Sequence, residues 1–223
     1  MSLGAPRLHY RAVASTNRRA WELAQAGATH GTLITATAQT HGRGRQGRAW
    51  TAPPGRALLC SLVLRDPPRL LSLAAGTAVA DVVGERARLK WPNDVLLESR
   101  KVAGVLVEGR PQERWAVVGI GLNVAMAEED FPPELRKRAG GLGWPVAEIE
   151  PTLERLLARL ERWITASPEA VLGAVRQRDV LLGQVVRWQD GQGQAVGVDD
   201  AGRLVVRVNG GRMALEAGEV HLV

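Results

Sequence analysis

Residues 39–50 read Gln39-Thr40-His41-Gly42-Arg43-Gly44-Arg45-Gln46-Gly47-Arg48-Ala49-Trp50, three glycines interleaved with three arginines and closed by an aromatic ring. Just upstream, residues 33–38, rich in β-branched side chains (Ile34, Thr35, Thr37), read as a strand, so the basic loop leaves a strand end. Gly42, Gly44 and Gly47 permit positive φ and close backbone approach to a ligand. Arg43, Arg45 and Arg48 supply forked, permanently charged donors that suit phosphate or carboxylate oxygens. Taken alone, the stretch equally suits a solvated basic loop or a nucleic-acid-binding segment. Its neighbours decide.

Towards the amino terminus, residues 8–13 read as a short strand, and Ser15-Thr16 offers an N-cap to a helix that passes Trp21 and Ala24 and stops at Gly27. Ser15, Thr16 and Asn17 thus sit at a strand-to-helix junction, either capping the helix or presenting hydroxyls and an amide to a ligand. Beyond the loop, Pro53-Pro54-Gly55 turns the chain into an apolar strand over 57–64, and Asp66-Pro67-Pro68 opens a helix over about 70–83. Residues 88–90 form another strand, broken by the proline-led turn Trp91-Pro92-Asn93-Asp94. Residues 95–97 and 102–108 flank Glu98-Ser99-Arg100 as a hairpin, and 115–118 lead as a strand into Gly119-Ile120-Gly121-Leu122-Asn123. Strands dominate, which predicts an α+β fold with a mostly antiparallel central sheet and helices on one face.

Residues 126–144 are rich in proline, glycine and charge and read as a surface excursion. Two helices follow: one over 152–165 with Leu153, Leu156, Leu157, Leu160 and Ile164 in a stripe, and one with Ser167 as N-cap and Pro168 at its first position. From Gly183 onward, alternating strands separated by turns at Asp190-Gly191, 199–202 and Asn209-Gly210-Gly211 predict a small five-stranded barrel. Two domains are expected: residues 1–180, carrying the motif loops, and residues 181–223, the barrel, packed directly on the first.

Composition narrows the function. The 223 residues are 45% hydrophobic, enough for a substantial core. The longest nearly apolar run, 70–83, contains Asp81 and falls short of the roughly 20 residues that span a bilayer. No signal-peptide order opens the chain and the single cysteine, Cys60, has no intramolecular partner, so a cytoplasmic location is expected. His9, His30, His41 and His221 give no zinc-site spacing, which leaves carboxylates and phosphates to hold any metal. The net charge of +6 is modest and spread along the chain, against nucleic-acid binding as the main task. Lysine is scarce, and two of the three, Lys90 and Lys101, fall in motif loops.

Those loops are the Gly/Arg stretch, Lys90-Trp91-Pro92-Asn93-Asp94, and Arg100-Lys101-Val102-Ala103-Gly104. Asp94 offers a hard oxygen ligand for magnesium on nucleotide phosphates, and Lys101 a cation for charge developing at a phosphoryl or acyl centre. Taken singly, Asp94 also suits an Asx turn, and both lysines suit strand-edge charges. The chain has no Gly-Lys dipeptide and hence no P-loop, Gly119-x-Gly121 lacks a third glycine, and no Gly-x-Ser-x-Gly elbow is present. Chemistry by positioning and electrostatic stabilisation is what remains.

Ser15-Thr16-Asn17, Gln39 with Gly42-Arg43-Gly44-Arg45-Gln46-Gly47-Arg48-x-Trp50, Lys90-Trp91-Pro92-Asn93-Asp94, Lys101-Val102-Ala103-Gly104-Val105-Leu106-Val107-Glu108 and Gly119-Ile120-Gly121-Leu122-Asn123 follow one another in a set order. In this the chain resembles, over nearly its whole length, the biotin protein ligases (biotin–acetyl-CoA-carboxylase ligases). The resemblance implies a two-step reaction. Biotin's carboxylate attacks the α-phosphate of ATP to give biotinyl-5′-AMP and pyrophosphate, and a lysine of a biotin carboxyl carrier protein then displaces AMP. It implies a catalytic domain like that of class II aminoacyl-tRNA synthetases and an SH3-like terminal barrel. Biotin would be lined by Ser15, Thr16, Asn17, Gln39, Arg43, Gly44, Arg45, Lys101 and Gly104. The nucleotide side would take Arg43, Arg45, Arg48, Trp50, Lys90, Asn93, Asp94 and Asn123. Lys101, Arg45 and Asp94 would be catalytic, with Asp94 as the contact for Mg2+. The arginine loop is expected to order over the adenylate.

Because the motifs begin at Ser15, a monofunctional ligase without an operator-binding domain is expected, and a homodimer is a common family state. His41 and Gln46 depart from the residues usual at their positions. Lipoate- or octanoate-attaching relatives share the fold, but the Gly-Arg-Gly-Arg loop and Lys-Trp-Pro-Asn-Asp favour biotin.

Overall fold

The computed structural model describes residues 3–216, 218 and 220–222. Among them the chain forms β1 (Arg7–Tyr10), α1 (Thr16–Gln25), β2 (Leu33–Ala36), β3 (Leu58–Arg65), α2 (Leu71–Val83), β4 (Arg88–Lys90), β5 (Asp94–Leu97), β6 (Arg100–Arg110), β7 (Trp115–Leu122), α3 (Ile149–Ile164) and α4 (Pro168–Arg178). The strands β8 (Val185–Trp188), β9 (Gly191–Val198), β10 (Leu204–Val208), β11 (Gly211–Leu215) and β12 (His221–Leu222) follow. The first seven strands make one sheet in the order β1-β2-β3-β7-β6-β5-β4. Its pairings are antiparallel except β1 with β2. The β5–β6 hairpin turns through Glu98 and Ser99 at φ 51° and 63°, a two-residue turn with both central residues left-handed.

The helices lie on both faces of this sheet, not on one. The reason is visible in β2 and β3, whose residues are buried almost without alternation. Such strands need cover on both sides. Leu33, Leu62, Val118 and Ile120 point into the main core with Ala74, Ala78 and Val79 of α2 and Leu153, Leu156 and Leu160 of α3. Ile34, Val63, Trp115 and Val117 face the other way and pack under Ala20 and Ala24 of α1. Capping fixes α1 at both ends: Ser15 Oγ accepts from Arg18 N at 3.4 Å, and Arg65 Nη2 donates to Ala24 O and Ala28 O at 2.9 and 2.6 Å. Asp81, the charge inside the apolar stretch of α2, ties three helices by accepting from Trp163 Nε1 and Arg178 Nη2, each at 2.8 Å.

The strand β7 extends further than its apolar start suggests and takes in Gly119 and Gly121. Interior strand glycines mark a place where something approaches the sheet closely.

The last five strands form a second, antiparallel sheet in the order β11-β10-β9-β8-β12. Among the described residues β11 and β12 are unpaired edges, so this sheet is open where a closed barrel was expected; residues 217, 219 and 223 of the expected domain lie outside the described residues. Its β9–β10 turn sits on the first sheet's surroundings: Trp91 Nε1 donates to Gly202 O, Arg69 Nη2 to Asp200 O and Arg176 Nε to Val198 O, each at 2.9 Å. Gly202 needs to be glycine, since at φ +82° an added Cβ would lie 2.7 Å from Leu70 Cδ2. No helix of the described residues is long and apolar enough to cross a membrane.

Between the two sheets lies Asp179, whose neighbour Val180 donates through N to Leu89 O at 3.0 Å. Asp179 Oδ1 accepts from Leu181 N at 2.8 Å, while Oδ2 is buried without a partner among the described residues. Burial raises its carboxyl pKa above the ordinary value, against the lowering effect of the Leu181 and Leu182 amides. A raised folded pKa means that the native state keeps its proton longer than the unfolded chain, so stability falls as pH rises through the folded value. Asp179→Asn is therefore expected to raise the unfolding free energy at pH 8 by about 1 kcal/mol. Denaturant melts should show the gain shrinking as pH is lowered to about 4. A gain that grew on acidification would contradict this account.

Candidate active site

The basic stretch 39–50 is a closed hairpin. Trp50 N donates to Gly42 O at 2.9 Å, Gly44 N to Arg48 O at 2.7 Å, and Arg43 faces Ala49 in a bridge. Its tip is a single 3-10 turn, Arg45–Gly47, with Gln46 at φ 55°, ψ 36° and Gly47 at φ 74°. The glycines thus act differently from the sequence expectation. Gly47 alone of the three takes positive φ, Gly44 is extended at φ −117°, ψ −178°, and Gly42 is required for space. A Cβ on Gly42 would stand 2.2 Å from Trp50 O and 2.8 Å from Gln39 Nε2. The second left-handed residue is Gln46, one of the two departures noted in the sequence.

The hairpin overhangs a cleft whose floor is bare backbone. Gly104 of β6 and Gly121 of β7 are direct cross-strand partners, and Gly119 lies two residues along on the same face. Added Cβ atoms would fall 2.4 Å from Trp50 Cε2 at Gly121, 3.1 Å from Trp50 Cζ3 at Gly104, and 2.3 Å from Asn17 Oδ1 at Gly119. Trp50 therefore lies flat over one part of the floor and the Asn17 amide over another.

At the α1 end Ser15, Thr16, Asn17 and Gln39 are neutral and already hydrogen-bonded, with the Glu108–Arg43 ion pair beside them. Gln39 Oε1 accepts from Thr16 N at 2.7 Å and Thr16 Oγ1 at 3.0 Å, which leaves the Nε2 donors of Gln39 for a ligand. Thr16 Oγ1 also accepts from Ser61 Oγ at 2.8 Å, so the Thr16 hydroxyl is a support for Gln39. Asn17 Nδ2 donates to Glu108 Oε2 at 2.6 Å. Among the described residues Asn17 Oδ1 and Trp50 Nε1 are buried without a hydrogen-bond partner, each against the glycine floor.

At the other end the cleft is cationic. Lys101 Nζ sits 2.6 Å from Asp94 Oδ1 and 5.6 Å from the Trp50 ring centroid. Arg45 Nη1 reaches Asn93 Oδ1 at 3.4 Å, and Asn93 Nδ2 is held on β6 by donating to Val105 O at 2.7 Å. Burial lowers the Arg45 pKa, with Asp94 opposing and Arg48 reinforcing the shift. Burial likewise lowers Lys90, with Asp94 opposing and Lys101, Arg48 and Arg138 reinforcing it. Several cations thus surround one carboxylate, a field suited to a polyanion.

Ser15, Thr16, Asn17, Gln39, Arg43, Gly44, Arg45, Arg48, Trp50, Lys90, Asn93, Asp94, Lys101 and Gly104 all line this cleft. Asn123 does not. Strand alternation from Gly119 and Gly121 would carry it to the cleft face, but β7 ends at Leu122 and Asn123 Nδ2 turns to Gly140 O at 2.9 Å. Sequence reasoning missed Ser61, a lone hydroxyl in an apolar strand that lines the cleft, and gave no role to Glu108, the last residue of the Lys101–Glu108 motif, which follows Gly104 and Leu106 on the alternation of β6. It also missed Gly218 and Val220, which bring the carboxy-terminal segment to the cleft.

Because the clash at Gly42 is with backbone, no rotamer relieves it. Gly42→Ala is expected to open the hairpin and to raise tryptic cleavage after Arg43, Arg45 and Arg48 roughly tenfold, in line with ~1–2 kcal/mol of local strain. Limited proteolysis at parent rates would refute the packing described for Gly42.

Comparison with known proteins agrees with the geometry. Residues 9–124 match the Biotin/lipoate A/B protein ligase family, and residues 181–223 match the Biotin protein ligase C terminal domain. A biotin–acetyl-CoA-carboxylase ligase of Mycobacterium tuberculosis is 37% identical over 232 residues, covering 93% of this chain and 86% of the relative. A bifunctional ligase/repressor BirA of Bacillus subtilis is 31% identical over 243 residues, covering 99% of this chain and 75% of the relative. Among solved structures, a biotin protein ligase from Aquifex aeolicus in complex with biotin and ATP superposes with a TM-score of 0.80 at 29% identity, over 98% of this chain and 99% of that one. With its cleft and its matched residues taken together, the chain belongs to the biotin/lipoate A/B protein ligase family.

Proposed function

We propose that this cleft activates biotin with ATP and passes it to a carrier lysine; the protein is an ATP-dependent biotin ligase. The observation that carries the reading is the division of one continuous cleft into a neutral end at Ser15, Thr16, Asn17 and Gln39 and a cationic end at Arg45, Lys90 and Lys101. Biotin is a neutral bicycle with one carboxylate, and ATP is a polyanion. The neutral end suits the ureido ring, with Gln39 Nε2 and Asn17 Oδ1 as donor and acceptor, and the cationic end suits the phosphates.

In the first step a biotin carboxylate oxygen attacks the α-phosphorus, the bond to the β-phosphate oxygen breaks, and pyrophosphate leaves. Lys101 leaves Asp94 to meet the reacting carboxylate, and Arg45 and Lys90 offset charge on the phosphates. Arg43 and Gly44 cover the biotin side, and Arg48, Trp50 and Asn93 take the nucleotide side. In the second step a lysine amine of a biotin carboxyl carrier protein attacks the acyl carbon. AMP departs as the C–O bond breaks, and Asp94 is placed to accept the amine proton.

The described residues hold no cluster of three or more metal-ligating side chains, and Asp94 lies in the cleft beside the phosphate-facing cations. One carboxylate holds no ion by itself; a magnesium ion carried in on nucleotide phosphates, which it would screen, would find in Asp94 a single oxygen contact once Lys101 has left it. We read residues 1–180 as the catalytic unit, on a fold like that of class II aminoacyl-tRNA synthetases, and residues 181–223 as an SH3-like unit on its rim.

The test is biotin-dependent exchange of labelled pyrophosphate into ATP, followed by labelling of a carrier domain. Both should occur, and absence of exchange would defeat the proposal. Lys101→Ala is expected to slow exchange by on the order of 100-fold with the fold intact; a rate within a few fold of the parent would remove Lys101 from the reaction. Because burial lowers the Lys90 pKa, its charge is lost earlier on the alkaline side than that of an ordinary lysine. kcat/KM for ATP should therefore fall with rising pH, and Lys90→Arg should move that limb upward. An unmoved limb would detach Lys90 from phosphate binding.

A further inference from the structure

The carboxylate of Glu108, whose side chain is 23% exposed, spans two separate parts of the cleft. Oε2 accepts from Asn17 Nδ2 at 2.6 Å, and Oε1 accepts from Arg43 Nη2 at 2.9 Å. Asn17 belongs to the start of α1, which walls the cleft, and Arg43 belongs to the hairpin that overhangs it. The strand β6 puts Glu108 there because it alternates from Gly104 through Leu106, so the same face that forms the floor also presents this acid at its edge.

Holding Arg43 holds the whole hairpin. Its two arms are closed by the Trp50 N to Gly42 O and Gly44 N to Arg48 O bonds, and Arg43 sits between them, bridged to Ala49. At its tip, the Arg45 to Asn93 hydrogen bond is long at 3.4 Å. A charge-assisted bond to a mostly buried carboxylate is the stronger tether, though half-exposed Arg43 keeps it within reach of salt.

We propose that Glu108 is a positioning residue that latches the arginine hairpin over the cleft and so sets how long the acyl-adenylate stays bound. The inference rests on the ligase reading above. Its chemistry is specific: a glutamine at 108 can still accept from Asn17 Nδ2 through its amide oxygen, but it no longer offers Arg43 a negative partner. Glu108→Gln therefore removes the latch while keeping the wall.

The experiment loads the full chain with labelled biotin and ATP, desalts it rapidly into excess unlabelled biotin and ATP, and follows release of labelled biotinyl-AMP. A parent that forms no labelled adenylate refutes the ligase reading itself, and the latch with it. If the parent loads, release from Glu108→Gln is expected to be roughly tenfold faster. The Glu108→Gln, Arg43→Gln double variant should release no faster than Arg43→Gln alone, because both substitutions break one bond. Parent release should also accelerate between about 0.05 and 0.5 M salt, a dependence that Glu108→Gln should lose. Release from Glu108→Gln within about twofold of the parent, or multiplicative effects in the double variant, would overturn the proposal. So would a salt-insensitive parent, a readout that does not depend on any variant folding.

Discussion

The structure depends on a face of the central sheet that changes size along its strands. On β7 the residues facing α1 run Trp115, Val117, Gly119, Gly121, from the largest side chain to none. Trp115 and Val117 fill the cluster beneath Ala20 and Ala24, and at and beyond the first turn of α1 the strand has glycine in place of side chains. The neighbouring strands follow: β3 passes from Val63 under the helix to Ser61 against Thr16, and Leu59 lines the open cleft. The cleft is thus the half of a sheet face that no helix body covers, where glycines let Trp50 and the Asn17 amide lie directly on the backbone. On the opposite face α2 and α3 pack leucine and alanine against the sheet.

Charge is arranged on this floor as pairs ready to exchange partners. Lys101 rests on Asp94 and Arg43 on Glu108, so two of the cleft's cations are oriented by carboxylate partners. Part-buried Arg45 and Lys90 have pKa values depressed by burial, the cost of keeping cations in a crowded site. An incoming polyanion offsets that cost. On the proposed function, phosphate would be bound by these preorganised donors without a P-loop.

Much of this was legible in the sequence because several signals were local. The turn at Glu98-Ser99, the cap at Ser15 and the α3 stripe each write their geometry in adjacent residues, whereas the Gly/Arg stretch read as a loop and its hairpin closure did not show. The two-sided cover of the sheet was not foreseen: 57–64 read as an apolar strand, but a continuous apolar run does not say how many faces are covered or by which helix. Asn123 was misplaced because its motif neighbours Gly119 and Gly121 lie on a regular strand that stops one residue before it. Glu108, quoted only as the end of a motif, and Ser61 were given no role because their partners, Asn17, Arg43 and Thr16, are distant in sequence and meet only through sheet register. Gly42 was assigned freedom of φ when its need is space, a distinction that only the position of Trp50 O reveals.

The most direct test of the central claim, that one glycine-floored cleft holds both substrates with their reacting atoms at Lys101, is a crystal structure with a non-hydrolysable biotinyl-5′-AMP analogue. The account predicts the ureido ring between Gln39 and Asn17, the adenine beside Trp50 and Asn93, and Lys101 Nζ moved from Asp94 to the acyl-phosphate oxygens. An analogue bound away from Gly104, Gly119 and Gly121, or a Lys101 still paired with Asp94 and out of reach of the acyl phosphate, would contradict it.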